Sequence, residues 1–305
     1  MEIRVIGRGA LAGLIAGVLG FVFARIFAEP LVDKAIDYES GRGEILNALR
    51  QAAGLPTEAE GPEIFSRSIQ STIGIATGII GISVAFGALV AVGFLLLHGR
   101  LSVRPRVLAW CVAAFGFLGI FLLPFMKYPA NPPAIGHDFT IGARGRLYLT
   151  LVALSLILLG AAVLAAYRLA PRFGGVGAVV IAGVGFLVLF GIVLAVFPSL
   201  GNLHANVAVA HELGFPRAAT ETPQPIVNTL GKTLTVDGHT YTAGQIVYPG
   251  FDADVLWKFR WYSLLNQVLI WTTIALVFGT LMERLLGRQA SAPAGAEARE
   301  PAVVA

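Results

Sequence analysis

Charge is what this sequence lacks most. Only 13% of its 305 residues are Asp, Glu, Lys or Arg, while 56% are hydrophobic, and a water-facing globule cannot cover its surface with so few charges. Its one cysteine, Cys111, lies in an apolar run, which excludes a disulfide framework and a cysteine-based zinc site. No Gly-x-x-x-x-Gly-Lys-Ser/Thr loop occurs, and no Gly-x-Gly-x-x-Gly stands between a strand and a helix. Nothing therefore supports nucleotide binding by the chain itself, and nucleic acid is not expected among its partners.

What the sequence does have is apolar length. A helix needs about 20 apolar residues to cross a hydrocarbon core of roughly 30 Å. Six stretches reach or approach that length: 5–27, 73–97, 107–126, 147–166, 176–197 and 263–282. The predicted class is an all-α membrane protein, a helical bundle of about six transmembrane helices over 1–288, with a disordered cytoplasmic tail over 289–305. Arg4, Arg8 and the Phe27-Ala28 step also fit a signal peptide, but the apolar run exceeds the roughly 7–15 residues of a signal core. Gly9, Gly13 and Gly17 share one face of the first stretch, and Gly74, Gly78 and Gly81 repeat the habit in the second. Small residues at that spacing let helices approach closely, and Gly13 and Gly78 are the expected contact points.

Orientation follows from the bases. Placing both termini in the cytoplasm puts Arg4, Arg8, Arg100, Arg104, Arg106, Arg168 and Arg172 in short inner segments, as expected for a multi-pass protein of the cytoplasmic membrane. Within the apolar stretches the polar groups are almost all Ser, Thr, Cys111, Asn266 and Gln267, whereas proton-driven carriers usually place an acid, His or Lys near the midplane. Polar residues gather instead at the outer ends.

Glu29, Asp33 and Asp37 fall at i, i+4 and i+8 on one helical face, either as the wet side of an amphipathic helix that turns Leu31, Ala35 and Tyr38 inward, or as a cation-attracting rim. Phe65 to Ser71 make a polar approach to the second stretch. The proline-rich run from Tyr128 to Asp138 is stiff, and His137-Asp138 offers imidazole nitrogen and carboxylate oxygen to a divalent transition ion. His204 and His211 stand about two helical turns apart, roughly 10.5 Å, too far for a compact two-His site. His211 with Glu212 is either a ligand pair or a helix-end hydrogen-bonding pair. Asp252 or Asp254 can cap the last helix, and Trp257, Trp261 and Tyr262 form an interfacial belt. Arg260 can organise several carboxylates at once. The candidate metal ligands are thus His211, Glu212, His137, Asp138 and Asp254, with Arg260 behind them. Asp237-Gly238 among Thr233, Thr235, Thr240 and Tyr241 predicts a small β-hairpin in the last outer loop.

These clusters resemble the CbtA family of probable cobalt transporter subunits. The resemblance rests on Glu-Pro-Leu-Val-Asp-Lys-Ala-Ile at 29–36, Phe-Ser-Arg at 65–67, Asn-Pro-Pro at 131–133 with Gly136 and the Thr-Ile-Gly of 140–142, His211-Glu212, and the run from Asp254 to Arg260. It implies an integral membrane protein tied to cobalamin-related metabolism, with Co²⁺ as the ion carried and no resident cofactor. It also implies a short single-span, His-bearing companion of the CbtB kind. The family is described with five spans, one fewer than the six stretches here. A scaffold or assembly partner with no ion path of its own is the second reading, favoured by the apolar spans. A membrane enzyme is the third, disfavoured because no base and nucleophile lie close in sequence; the expectation is a non-enzyme.

Overall fold

With no water in hydrocarbon to bond exposed N–H and C=O groups, an apolar chain must satisfy its backbone within its own helices. The computed structural model, which describes residues 2–57, 64–136, 138–207, 222–236 and 238–290 apart from the side chains of Asp138 and 287–290, follows that rule. Five of its helical stretches are long and apolar enough to cross a membrane: Glu2–Ala52, Arg67–Leu97, Pro105–Lys127, Ile141–Val207 and Ala253–Leu286. The fold class is the expected one, an all-α membrane chain carrying a small antiparallel ribbon.

In chain order the helices are α1 (Glu2–Phe23), α2 (Glu29–Ala52), α3 (Arg67–Ile69), α4 (Ile75–Leu97), α5 (Pro105–Gly116), α6 (Leu123–Lys127), α7 (Ile141–Val196) and α8 (Ala253–Ala290). Wider π-turns join three pairs without breaking the helix: Ala24–Ala28, Gln70–Gly74 and Phe117–Leu122. Two of them have an evident cause. Pro30 and Pro124 cannot donate to the carbonyl four residues earlier and their rings press against it, and the turn just before each opens to relieve the clash. The carbonyl that Pro124 leaves is that of Ile120, and the Tyr148 hydroxyl approaches it at 3.5 Å. In the third, the Ser71 and Thr72 hydroxyls bond back to Ser68 O, a habit that bends helices.

The chain divides into two units. One consists of 1–19, 78–114 and 269–305. Its α1 and α4 segments meet backbone to backbone. A Cβ at Gly13 would run into Ser83 O, one at Gly9 or Gly87 into the carbonyl of the other, and one at Gly17 would lie 2.8 Å from Ile80 Cα. The α8 segment packs on α4 through Phe86 stacked on Trp271 at 4.8 Å and Phe94 edge-on to Phe278 at 5.4 Å. The α1 glycines act as the sequence predicts, but Gly78 and Gly81 have open space around them and Gly74 has ordinary contact only. The facing small residues on α4 are Ser83, Gly87 and Ala91, one turn and more further along the same helix.

The second unit comprises 20–77 and 115–268. Its longest helix, α7, folds back on itself. Leu151 and Phe190 are buried in one cluster with Tyr128, although along a straight helix they would be about 58 Å apart. The reversal falls after Pro171 at Gly174, whose φ of 72° leaves the helical range. One arm carries the predicted stretch 147–166 and the other 176–197, so the stretches number six although the helices long enough to span number five. The short inner segment that carries Arg168 and Arg172, 167–175, is helical except at that turn.

The hairpin is present, with β2 (Leu234–Val236) paired to β3 (His239–Tyr241) and Thr235 opposite Thr240. Asp237 lies outside the described residues; Gly238 supplies the positive φ of the turn. A second pair, β1 (Ile226–Val227) with β4 (Ile246–Tyr248), was not expected. Rather than standing free, the strands pack Ile226, Leu234 and Val247 against Ile45 of α2. Tyr38 donates to Pro249 O at 2.9 Å, Tyr248 to Tyr38 O at 3.1 Å and Arg42 to Gln224 O at 2.7 Å.

Replacing Gly13 or Gly87 with Leu should therefore lower the yield of folded, monodisperse protein and its melting temperature in detergent, at about 1–3 kcal/mol of overpacking or more. Gly78→Leu should leave both near wild type.

Candidate functional site

Glu29 opens α2 immediately after a π-turn, and its side chain is 1% exposed. Among the described residues it is the one charged side chain that is buried. Its partner comes from 38 residues further along, where Ser66 in extended conformation starts α3 and Arg67 projects from the first turn. The Arg67 guanidinium reaches the first two of the three acids of the face: Nη2 donates to Glu29 Oε1, and Nε and Nη2 donate to Asp33 Oδ1 at 3.1 and 2.7 Å. Gln70 Nε2, donating to Phe65 O at 2.8 Å, fastens the chain beside it. A planar fork of donors suits such a double engagement, which a lysine could not reproduce.

The three groups differ in their access to water. Asp33 is 55% exposed and Arg67 31%, while Asp37, one turn on, is also exposed. Glu29 Oε2 is buried without a hydrogen-bond partner. The acidic face is thus not a uniform wet rim: its first member is desolvated and held by an arginine. Leu31 and Ala35 are buried as predicted, and so is Val32, which lies one turn after Glu29 on the same side of the helix. On the strands beside α2, burial pushes the Tyr248 phenol above its usual range, with Arg42 opposing the shift.

Arg260, expected behind the candidate metal ligands, bonds to two neutral oxygens among the described residues. It donates to Ala130 O at 3.3 Å and to Asn131 Oδ1 at 2.8 Å, so it ties α8 to the Asn-Pro-Pro loop. Among the described residues, Arg67 is a guanidinium that gathers two acids. Asp252, not Asp254, caps α8, accepting from the backbone N–H of Asp254 at 2.7 Å and of Val255 at 3.3 Å. Asp254 is exposed in the first turn. Trp257 and Trp261 stack at 5.1 Å, and Tyr262 packs on Phe27 at 5.5 Å.

Of the candidate metal ligands, His211, Glu212 and His137 lie outside the described residues, as does the side chain of Asp138. Among the described residues no three His, Cys, Asp or Glu side chains converge as a metal cage would require. What does converge is two carboxylates and one guanidinium. Such a group can hold a cation: Arg67 already occupies the position, and the unpaired oxygen of Glu29 has acceptor capacity left over.

Arg67→Gln should strand the buried carboxylate and lower stability by about 1–3 kcal/mol, a figure kept modest because Arg67 is partly exposed. Adding Glu29→Gln should restore most of the loss, since a neutral amide needs no counter-charge. Thermal unfolding of the two variants in detergent measures the difference.

No curated protein and no solved structure matches this sequence. Its affinity shows at the level of the family. A family model described as "Probable cobalt transporter subunit (CbtA)" matches residues 2–283, nearly the whole length, and with long apolar helices throughout that span the chain is a multi-pass membrane protein belonging to the CbtA family.

Proposed function

We propose that this subunit collects a divalent transition ion, Co²⁺ first among them, on the outer face of the cytoplasmic membrane, and that Glu29 and Asp33 receive it. The observation that carries this reading is the buried Glu29 carboxylate with one oxygen unpaired, beside a half-exposed Asp33. A buried acceptor left unmade costs about 1–3 kcal/mol, a cost that an incoming cation would recover. Arg67 serves as a tethered stand-in cation: it keeps the acids apart from each other's charge until the ion displaces it. Carboxylate oxygens alone favour hard ions, so selectivity for Co²⁺ calls for imidazole nitrogen, and His211 with Glu212, and His137 with Asp138, are the donors the sequence assigns. Asp254, at the start of α8, belongs to the same outer face. The apolar arms offer no charged stepping stone, which favours a path completed by a single-span companion of the CbtB kind.

Uptake of radioactive ⁵⁷Co²⁺ into cells with and without the protein tests the reading. Glu29→Gln and Asp33→Asn should each reduce uptake about tenfold or more, as expected for loss of a charged ligand, while Asp37→Asn should leave it close to wild type. Because imidazole binds metal only when neutral, uptake should fall as pH drops through about 6.5. That dependence should vanish in a His137→Ala, His211→Ala double variant. Unchanged uptake in both acid variants would leave the scaffold reading in place.

The orientation belongs to the same proposal, with both termini in the cytoplasm. In a Cys111→Ala background, a cysteine at Thr57 should react with an impermeant maleimide added to intact cells, and one at Arg104 should react only after permeabilisation.

A further inference from the structure

A cavity of about 720 Å³ lies in the second unit, between the π-turn before α6, the loop 129–136 and the start of α7. It is separate from the acid pair. Its walls are Phe121, Phe125 and Leu200 on the apolar side and Arg144, Asn131 and Tyr148 on the polar side. The loop that roofs it is held firmly: Arg260 binds Ala130 O and Asn131 Oδ1, Tyr128 donates to Pro198 O at 2.8 Å, and Ile135 N donates to Pro132 O at 3.1 Å. Gly136, with a φ of 126°, leaves room for the guanidinium; a Cβ there would lie 2.7 Å from Arg144 Nη1.

The composition of this cavity decides its class of occupant. Among the described residues its lining holds no carboxylate or imidazole to receive a divalent cation. Ligand cavities of this size are commonly apolar with a few placed polar groups. Here the polar groups are a guanidinium, an amide and a phenol, all able to donate hydrogen bonds, in a largely apolar chamber, which matches an anionic head on an apolar body. The way in is apolar as well: Ile141 and Leu149, both among the lining residues, are 57% and 68% exposed, and Leu149 begins an apolar arm long enough to lie in lipid. An amphiphile can therefore enter sideways from the bilayer, head towards Arg144 and acyl chain trailing past Leu149.

We propose that this cavity is a binding site for an anionic phospholipid, whose phosphate is held by Arg144 with Asn131 and Tyr148 nearby and whose acyl chain lies along Phe121, Phe125 and Leu149. Arg144 has interactions within the protein as well. The lipid phosphate adds charge-assisted hydrogen bonds to that network rather than supplying its first partner.

Native mass spectrometry of the full chain in detergent, titrated with phosphatidylglycerol or phosphatidylcholine of the same acyl chains, tests this. Phosphatidylglycerol should be retained at about tenfold lower concentration than phosphatidylcholine, and Arg144→Gln should remove the preference. Leu149→Trp, a change at an exposed position that the fold should accept, fills the mouth and should reduce retention of phosphatidylglycerol with no change in melting temperature. Millimolar inorganic phosphate should not displace the lipid. Equal retention of the two lipids, a preference that survives Arg144→Gln in folded protein, or displacement by free phosphate would each overturn the proposal.

Discussion

A carboxylate withdrawn from water where the first long helix leaves its apolar stretch sets the terms for much of the second unit. Glu29 could be solvated only by turning outward, yet Val32, one turn further on the same side of α2, is buried. The conflict is settled by Arg67, and settling it fixes where the chain after the 58–63 segment must begin its next helix. The pairing satisfies one carboxylate oxygen and leaves the other buried without a hydrogen-bond partner. Burial of this kind is poor evidence of stability and better evidence of use, since an apolar replacement would hold the same elements together at less electrostatic cost.

The helices meet by two different means. In the first unit, α1 and α4 approach so closely that carbonyls occupy the space where side chains would be, and dispersion between backbones replaces side-chain interdigitation. In the second, Leu151, Phe190 and Tyr128 fill the space between the arms of α7 and the end of α6 in the ordinary way, and Lys127 Nζ reaches the Leu194 carbonyl at 2.8 Å. Outside these contacts the second arm presents Val176, Val180, Leu187 and Val196 to its surroundings, as a helix wetted by hydrocarbon should.

Local chemistry was legible in the sequence and non-local pairing was not. The apolar stretches, the Asp252 cap, the stacked Trp257 and Trp261 and the β2–β3 hairpin all follow from composition or from residues a few positions apart. Gly13 could be read because its face repeats at every turn; its partner could not, because which face of α4 looks inward depends on the neighbour, and the choice fell on Gly87 rather than Gly78. Arg67 opens α3 and Arg260 lies two turns into α8, each with acids nearby in the sequence. Their sequence neighbourhoods do not reveal that one meets Glu29 and Asp33 while the other meets an asparagine and a backbone carbonyl. A signal was present in the isolation of Arg67 within a neutral stretch from Ile64 to Leu97, where an unpaired charge would be costly.

Pro30 carries a meaning beyond turn geometry. Each residue of an α-helix rotates the next by about 100°, whereas a π-turn accommodates an additional residue with its hydrogen bonds running one position further. The azimuth of Glu29 relative to Phe23 is therefore a matter of phase, and the ring of Pro30 holds the Ala24–Ala28 segment in the wider winding that sets it. A lineage that lost one residue from this segment would keep every side chain named here and yet aim the carboxylate about a quarter-turn away from Arg67. Length, as well as identity, is thus under constraint between Phe23 and Glu29, and a gap there would mark a relative whose acid no longer meets its arginine.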